Sequence, residues 1–107
     1  MLTTAAAEKH LEEIKRHLNI TWDDEDTDEK LIEQMLDAEY ALNHKLGAEV
    51  DYFSAGQERR LYRAYMLYSW NDCLDEFDQA YMGEIYQLRR KYEVAKFKEE
   101  QANEDES

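Results

Sequence analysis

The sequence predicts an all-α fold, a small four-helix domain with a long C-terminal helix, and three observations carry that prediction. The 107 residues contain no proline and only three glycines, the two residue types that cost a helix interior most. Ala, Leu, Glu, Lys, Gln and Arg, which lose little side-chain freedom in a helix, are abundant. Apolar residues recur at steps of three and four through four separate segments, the period of a helix with one buried face. The length suits one domain built around one core.

The first segment is set by Ala7, Leu11, Ile14 and Leu18, which share one face of a helix predicted over residues 4–18. His10, Glu13, Lys15, Arg16 and His17 fill its flanks and solvated side. Asn19 ends the pattern, and Ile20 and Trp22 follow outside any period, which predicts an ordered loop folded back on the core. Six acids fall between Asp23 and Glu29. They lead into Leu31, Ile32, Met35, Leu36, Ala38, Leu42 and Leu46, a stripe that predicts a second helix over residues 28–46. Asp26 with Glu29 reads as a capping box, and Gly47 as a left-handed stop. Ala48 to Gly56 reads as a connection, with Ser54 and Gln57 as a second capping signal. The third helix, predicted over residues 57–73, is apolar over most of its circumference, as suits a central element. After a break at Asp75 to Asp78, the residues Tyr81, Ile85, Leu88, Tyr92 and Ala95 predict a fourth helix over residues 79–98. The expected core includes Leu31, Met35, Leu61, Tyr65, Leu67 and Ile85. Residues 1–98 thus form the helical domain, and 99–107 read as an acidic flexible tail without apolar period.

Charge narrows the function. Twenty-six acids against thirteen bases give a net charge of −13, and such a chain repels the phosphate backbones that nucleic-acid-binding proteins attract with clustered Lys and Arg. No apolar run approaches the ~20 residues of a membrane span, and the opening MLTTAAAEKH lacks the pattern of a signal peptide. Cys73 is the single cysteine. Among Trp70, Leu74 and Phe77 it reads as a small core residue in a reducing compartment.

Sites for chemistry are scarce. Asp24, Asp26 and Asp28 match the first three ligand positions of a calcium-binding EF-hand loop, but Glu29 stands where the turn glycine belongs and Met35 where a bidentate Glu belongs. His10 and His17 lie two helical turns apart, about 10 Å, too far to share one ion, and His44 is isolated. The sequence has no phosphate-cradling glycine loop, no nucleophile-elbow serine and no histidine placed to activate Cys73. The reading is therefore a non-enzyme without metal or cofactor. Two features exceed it: eight Tyr and two Trp, residues enriched at protein interfaces, and a locally basic last helix on an acidic chain. The candidate partner-binding residues are Arg89, Arg90, Lys91 and Lys96 with Tyr86 and Tyr92. The acidic loop Asp23, Asp24, Glu25, Asp26, Asp28 and Glu29 is the second candidate surface.

A first helix ending in IKRHLNI (Ile14 to Ile20), then TWDDEDTDEKL (Thr21 to Leu31), then a helix closed by Lys45, Leu46 and Gly47 resembles the head-tail connector family of siphophages, the head completion or adaptor proteins. The similarity continues in Leu74 to Phe77 and Tyr81 and covers about residues 8 to 92. The resemblance implies a structural subunit that closes with identical copies into a ring, dodecameric in the family. The ring docks beneath the phage portal protein, meets a downstream head-tail or tail completion protein, and extends the DNA channel. It implies a virion protein, assembled in the bacterial cytoplasm, with no membrane partner. Physical chemistry agrees, because acidic walls let DNA slide without binding it. Alternative readings are an acidic DNA-mimic inhibitor, which needs carboxylates spread over one continuous surface, and a generic helical interaction protein.

Overall fold

The computed structural model describes residues 2–106, with side chains described through residue 102. Among the described residues the chain forms α1 (Thr4–His17), α2 (Glu25–Leu46), α3 (Gln57–Trp70) and α4 (Phe77–Glu106), with a single 3₁₀ turn at Leu74–Glu76 and no strand. The fold is thus the small all-α domain with a long last helix that the apolar periods predict.

The first three helices end by one device. Asn19, Gly47 and Asp72 have φ of 61°, 71° and 56°, and the next N–H reaches back five residues: Ile20 to the Lys15 carbonyl at 2.8 Å, Ala48 to Asn43 at 3.2 Å and Cys73 to Tyr68 at 2.9 Å. A left-handed residue after the last turn satisfies carbonyls that would otherwise lack partners, and Gly, Asn and Asp are the residues that enter that region at least cost. The starts differ more from expectation. Thr3 caps α1 by accepting the Ala6 N–H at 3.1 Å. The second helix begins at Glu25 rather than residue 28, with Asp24 as its N-cap residue. The Thr27 hydroxyl donates to Asp24 Oδ2 at 2.9 Å, so the predicted pairing of Asp26 with Glu29 is replaced. Carboxylates at Glu25, Asp26 and Asp28 suit the positive end of the helix dipole, which is why the acidic run is helix and not loop. Gly56 precedes α3, and Ser54 bonds Asp51 instead of capping.

Helix α2 is central and packs against α1, α3 and α4. Leu31, Met35, Ala38 and Leu42 face Leu61, Tyr62 and Met66 of α3, Ala7, Leu11 and Ile14 of α1, and Phe77 and Leu88 of α4 in one apolar cluster. Leu31, Met35 and Leu61 are buried as predicted, and Tyr65 and Ile85 pack half-buried at the cluster's edge. Leu67 does not: it is 42% exposed, because α3 buries the Leu61, Tyr62 and Met66 face and turns Leu67 away. Trp22 is 50% exposed as well, and only Ile20 of the predicted anchoring loop enters the core. Tyr52, within the connection, is fully buried instead. It stacks on Tyr62 at 5.2 Å and donates to Asn43 Oδ1 at 2.7 Å.

The fourth helix starts at Phe77, bends at Tyr81 (φ −116°, ψ 15°) and continues to Glu106. The bend follows an aromatic cluster in which Tyr81 stacks on Phe77 at 5.1 Å and meets Tyr68 edge-on at 5.8 Å. Residues 99–106 continue α4 as helix; Ser107, the last residue of the predicted tail, lies outside the described residues. Every residue from Glu93 to Ala102 is exposed. This projecting helix gives a radius of gyration of 15.8 Å and extents of 56 × 31 × 19 Å, against ~13 Å for a compact chain of this length.

Candidate interaction surface

Past the bend, α4 carries two apolar stripes. Ile85, Leu88 and Tyr92, with Tyr81 at the bend, turn toward the core. Met82, Tyr86 and Phe97 recur four and eleven residues apart on the far side, where they are 69%, 64% and 61% exposed. At 100° per residue these three fall within about 60° of one another, and Arg89 and Arg90 fall beside them. Large apolar side chains left in water at helical spacing make this face a candidate interaction surface. The aromatic count pointed toward this face, yet only Tyr86 among its apolar members was singled out. Met82 and Phe97 were legible as a stripe offset from the core period.

The basic candidates divide. Arg89 is exposed and bonds Glu93 one turn on at 3.3 Å, and Arg90 and Lys96 are exposed without an ion pair among the described residues. Lys91 Nζ instead donates to Glu58 Oε1 at 2.8 Å and lies over the Tyr92 ring at 5.1 Å. That hydrogen bond holds the Glu58 carboxyl below its usual range and raises the Lys91 ammonium. The exposed Lys91 and the half-buried Tyr92 thus tie α4 to the start of α3. A shallow groove lined by Lys45, Asp78, Met82, Ile85 and Arg89 separates the outer face of α4 from the end of α2, and Lys45 closes it with an ion pair to Asp78 at 2.7 Å.

The acidic candidates divide as well, and the reason is Lys15, which the helical pattern placed in solvent. Its side chain is buried, with the ammonium 3.1 Å from Asp23 and 3.0 Å from Asp28. The hydrogen bonds it donates, to Asp28 first and Asp23 second, raise its pKa. A buried ammonium is tolerated when carboxylates partner it, so two of the six acids are structural and fix the turn from α1 into α2. Asp24 accepts from Thr27. Glu25, Asp26 and Glu29 remain exposed and take part in no ion pair among the described residues, and Trp22, exposed as well, donates its indole N–H to the Thr27 hydroxyl at 3.4 Å.

Other titratable groups serve packing. His10 stacks on Phe53 at 4.1 Å, and His17 bonds the Arg63 carbonyl at 3.0 Å. Glu39, buried in α2, accepts the Leu2 N–H at 2.8 Å. Cys73 is half-buried, its Sγ 3.5 Å from the Tyr68 carbonyl, and burial raises its thiol pKa, which lowers its thiolate fraction. Among the described residues no group of three or more His, Cys, Asp or Glu is placed to hold a metal ion, and no helix is long and apolar enough to cross a membrane. Comparison with known protein families, with curated proteins and with solved structures finds no match for this chain.

Proposed function

We propose that this protein is a structural head-tail connector subunit of a tailed bacteriophage, which forms a ring with its own copies beneath the portal and extends the DNA channel toward the tail. One observation carries the reading furthest: α4 projects from the folded domain with Met82, Tyr86 and Phe97 exposed along one face and Arg89 and Arg90 beside them. A helix whose side chains from Glu93 to Ala102 are all exposed gains little from its own domain, since isolated helices are marginal in water; docking on another protein supplies what it lacks. Cationic side chains on a chain of net charge −13 steer such docking toward acidic protein surfaces. The resemblance of residues 14–47 to the connector family names the assembly in which a helical docking module of this kind works. The remaining acidic surface suits a channel through which DNA slides unbound.

The test is attachment. Portal-bearing heads that lack their connector are incubated with the protein and imaged by electron microscopy. The expected result is a ring of added density beneath the portal, and heads that remain bare at saturating protein overturn the proposal.

A further inference from the structure

The two exposed patches are opposite in charge and lie at opposite ends of the domain. Lys30 of α2 sits over Trp70 at the end of α3, 5.3 Å from the ring centroid, which places the acidic start of α2 at that end. Lys91 of α4 meets Glu58 at the beginning of α3, about 20 Å away along the helix axis. From Phe77 beside Tyr65 and Tyr68, α4 therefore runs away from the acidic patch and projects beyond the other end. Its outer face cannot reach Glu25, Asp26 and Glu29 of its own chain.

We propose that a second copy of this chain covers the outer face of α4, head to tail. Met82, Tyr86 and Phe97 of one copy pack against Trp22 of the next, and Arg89 and Arg90 face its Glu25, Asp26 and Glu29. The patches are complementary: α4 exposes Met82, Tyr86 and Phe97 with Arg90 free of any ion pair among the described residues and Arg89 bonded only within its own helix, to Glu93, while the start of α2 exposes Trp22, which donates to Thr27, and Glu25, Asp26 and Glu29 free of any ion pair among the described residues. Interfaces combine exposed aromatic and aliphatic side chains with polar and charged ones. On α2, Glu25, Asp26 and Glu29 share the side turned away from Leu31 and Met35, so nothing of the copy's own core competes for them. Two different patches make a heterologous contact, which propagates from copy to copy and closes as a ring or continues as a filament. This contact deepens the connector reading and rests on it for the closed ring.

The experiment is a charge swap read by sedimentation velocity on the full chain. One variant carries Arg89→Glu and Arg90→Glu, the other Asp26→Lys and Glu29→Lys, with circular dichroism recorded for each. The wild type should associate as its concentration rises. Each variant alone should associate at least tenfold more weakly, because its own two patches now repel. An equimolar mixture should recover assembly, because every contact in an alternating chain pairs opposite charges. A wild type that stays monomeric, variants that associate like wild type, or a mixture that does not recover overturns the contact. Loss in the α4 variant alone overturns it too, and points to α4 pairing with α4. If either reversed variant is unfolded, Trp22→Ser and Phe97→Ser replace the pair, and each must weaken association. Portal attachment is scored separately: self-association without binding to portal-bearing heads removes the connector reading and leaves the contact, and the reverse result does the opposite.

Discussion

Asn43 organises the turn between α2 and α3 with one side-chain oxygen. Its Oδ1 accepts the Val50 N–H at 3.2 Å and the Tyr52 hydroxyl at 2.7 Å, while its backbone carbonyl accepts the N–H of Gly47 and Ala48. Tyr52 is fully buried, and burial pushes its phenol pKa far above the usual value, so the hydroxyl stays a donor at any working pH. Asn43→Ala leaves that buried donor without a partner and should lower stability by ~1–3 kcal/mol, the range for an orphaned buried polar group. Urea unfolding checks this, and the double variant with Tyr52→Phe should cost less than the two singles added, because both remove the same bond. None of it was legible in advance. Tyr52 falls in a stretch without period, and a pattern of apolar spacing cannot report a tyrosine fixed by a hydrogen bond from the preceding helix. Lys15 was missed for the related reason that a helical pattern assigns lysine to solvent, and only the fold brings Asp23 and Asp28 onto it.

Helix α4 is held at Phe77 and Leu88 by burial and at Lys91 by Glu58. The Glu58 carboxyl lies below its usual pKa, so the pair's stabilisation is complete above the unfolded carboxylate value and is lost as pH falls through the lower folded one. Lys91 is raised, so the alkaline loss begins only above the ordinary lysine value. Wild type minus Glu58→Gln should therefore show a stability difference of roughly 0.5–1 kcal/mol near pH 7, as for a surface pair with an exposed lysine. The difference should shrink as the pH falls below the ordinary carboxylate range, and thermal melts across pH measure it. The outer face answers to a different test. Arg89→Glu, Arg90→Glu and Lys96→Glu together should leave helix content intact. The expected cost is below ~1 kcal/mol, most of it from like charges at residues 89 and 93, while ring formation or portal attachment is lost. Normal attachment by this variant shifts the docking role to the start of α2. The apolar periods placed all four helices, because burial along one face writes itself into spacing. The start of α2 was displaced because the first turn of a helix favours carboxylates, and a run of them reads equally well as loop.

At the scale of the whole molecule, stability and assembly reside in different parts of one chain. The core cluster ends at Leu88, with Tyr92 packed at its edge, and from Glu93 to Ala102 no side chain is buried. Folding cooperativity follows buried apolar contact, so the projecting segment belongs to the low-stability end of the molecule and frays independently. A chain ending after Tyr92 should keep the core and the Lys91 to Glu58 latch, and its unfolding free energy from denaturant titration should match the full chain within ~0.5 kcal/mol, as for a change that touches no packed residue. Two other readouts should move. The radius of gyration in small-angle scattering should fall from 15.8 Å toward the ~13 Å of a compact domain. Concentration-dependent self-association should weaken, because Phe97 and Val94 leave with the segment while Met82, Tyr86 and both arginines remain. A truncated chain that loses more than ~2 kcal/mol would place residues beyond Tyr92 in the folding unit and make α4 a structural helix. An unchanged unfolding free energy with weakened association would assign that segment to assembly alone.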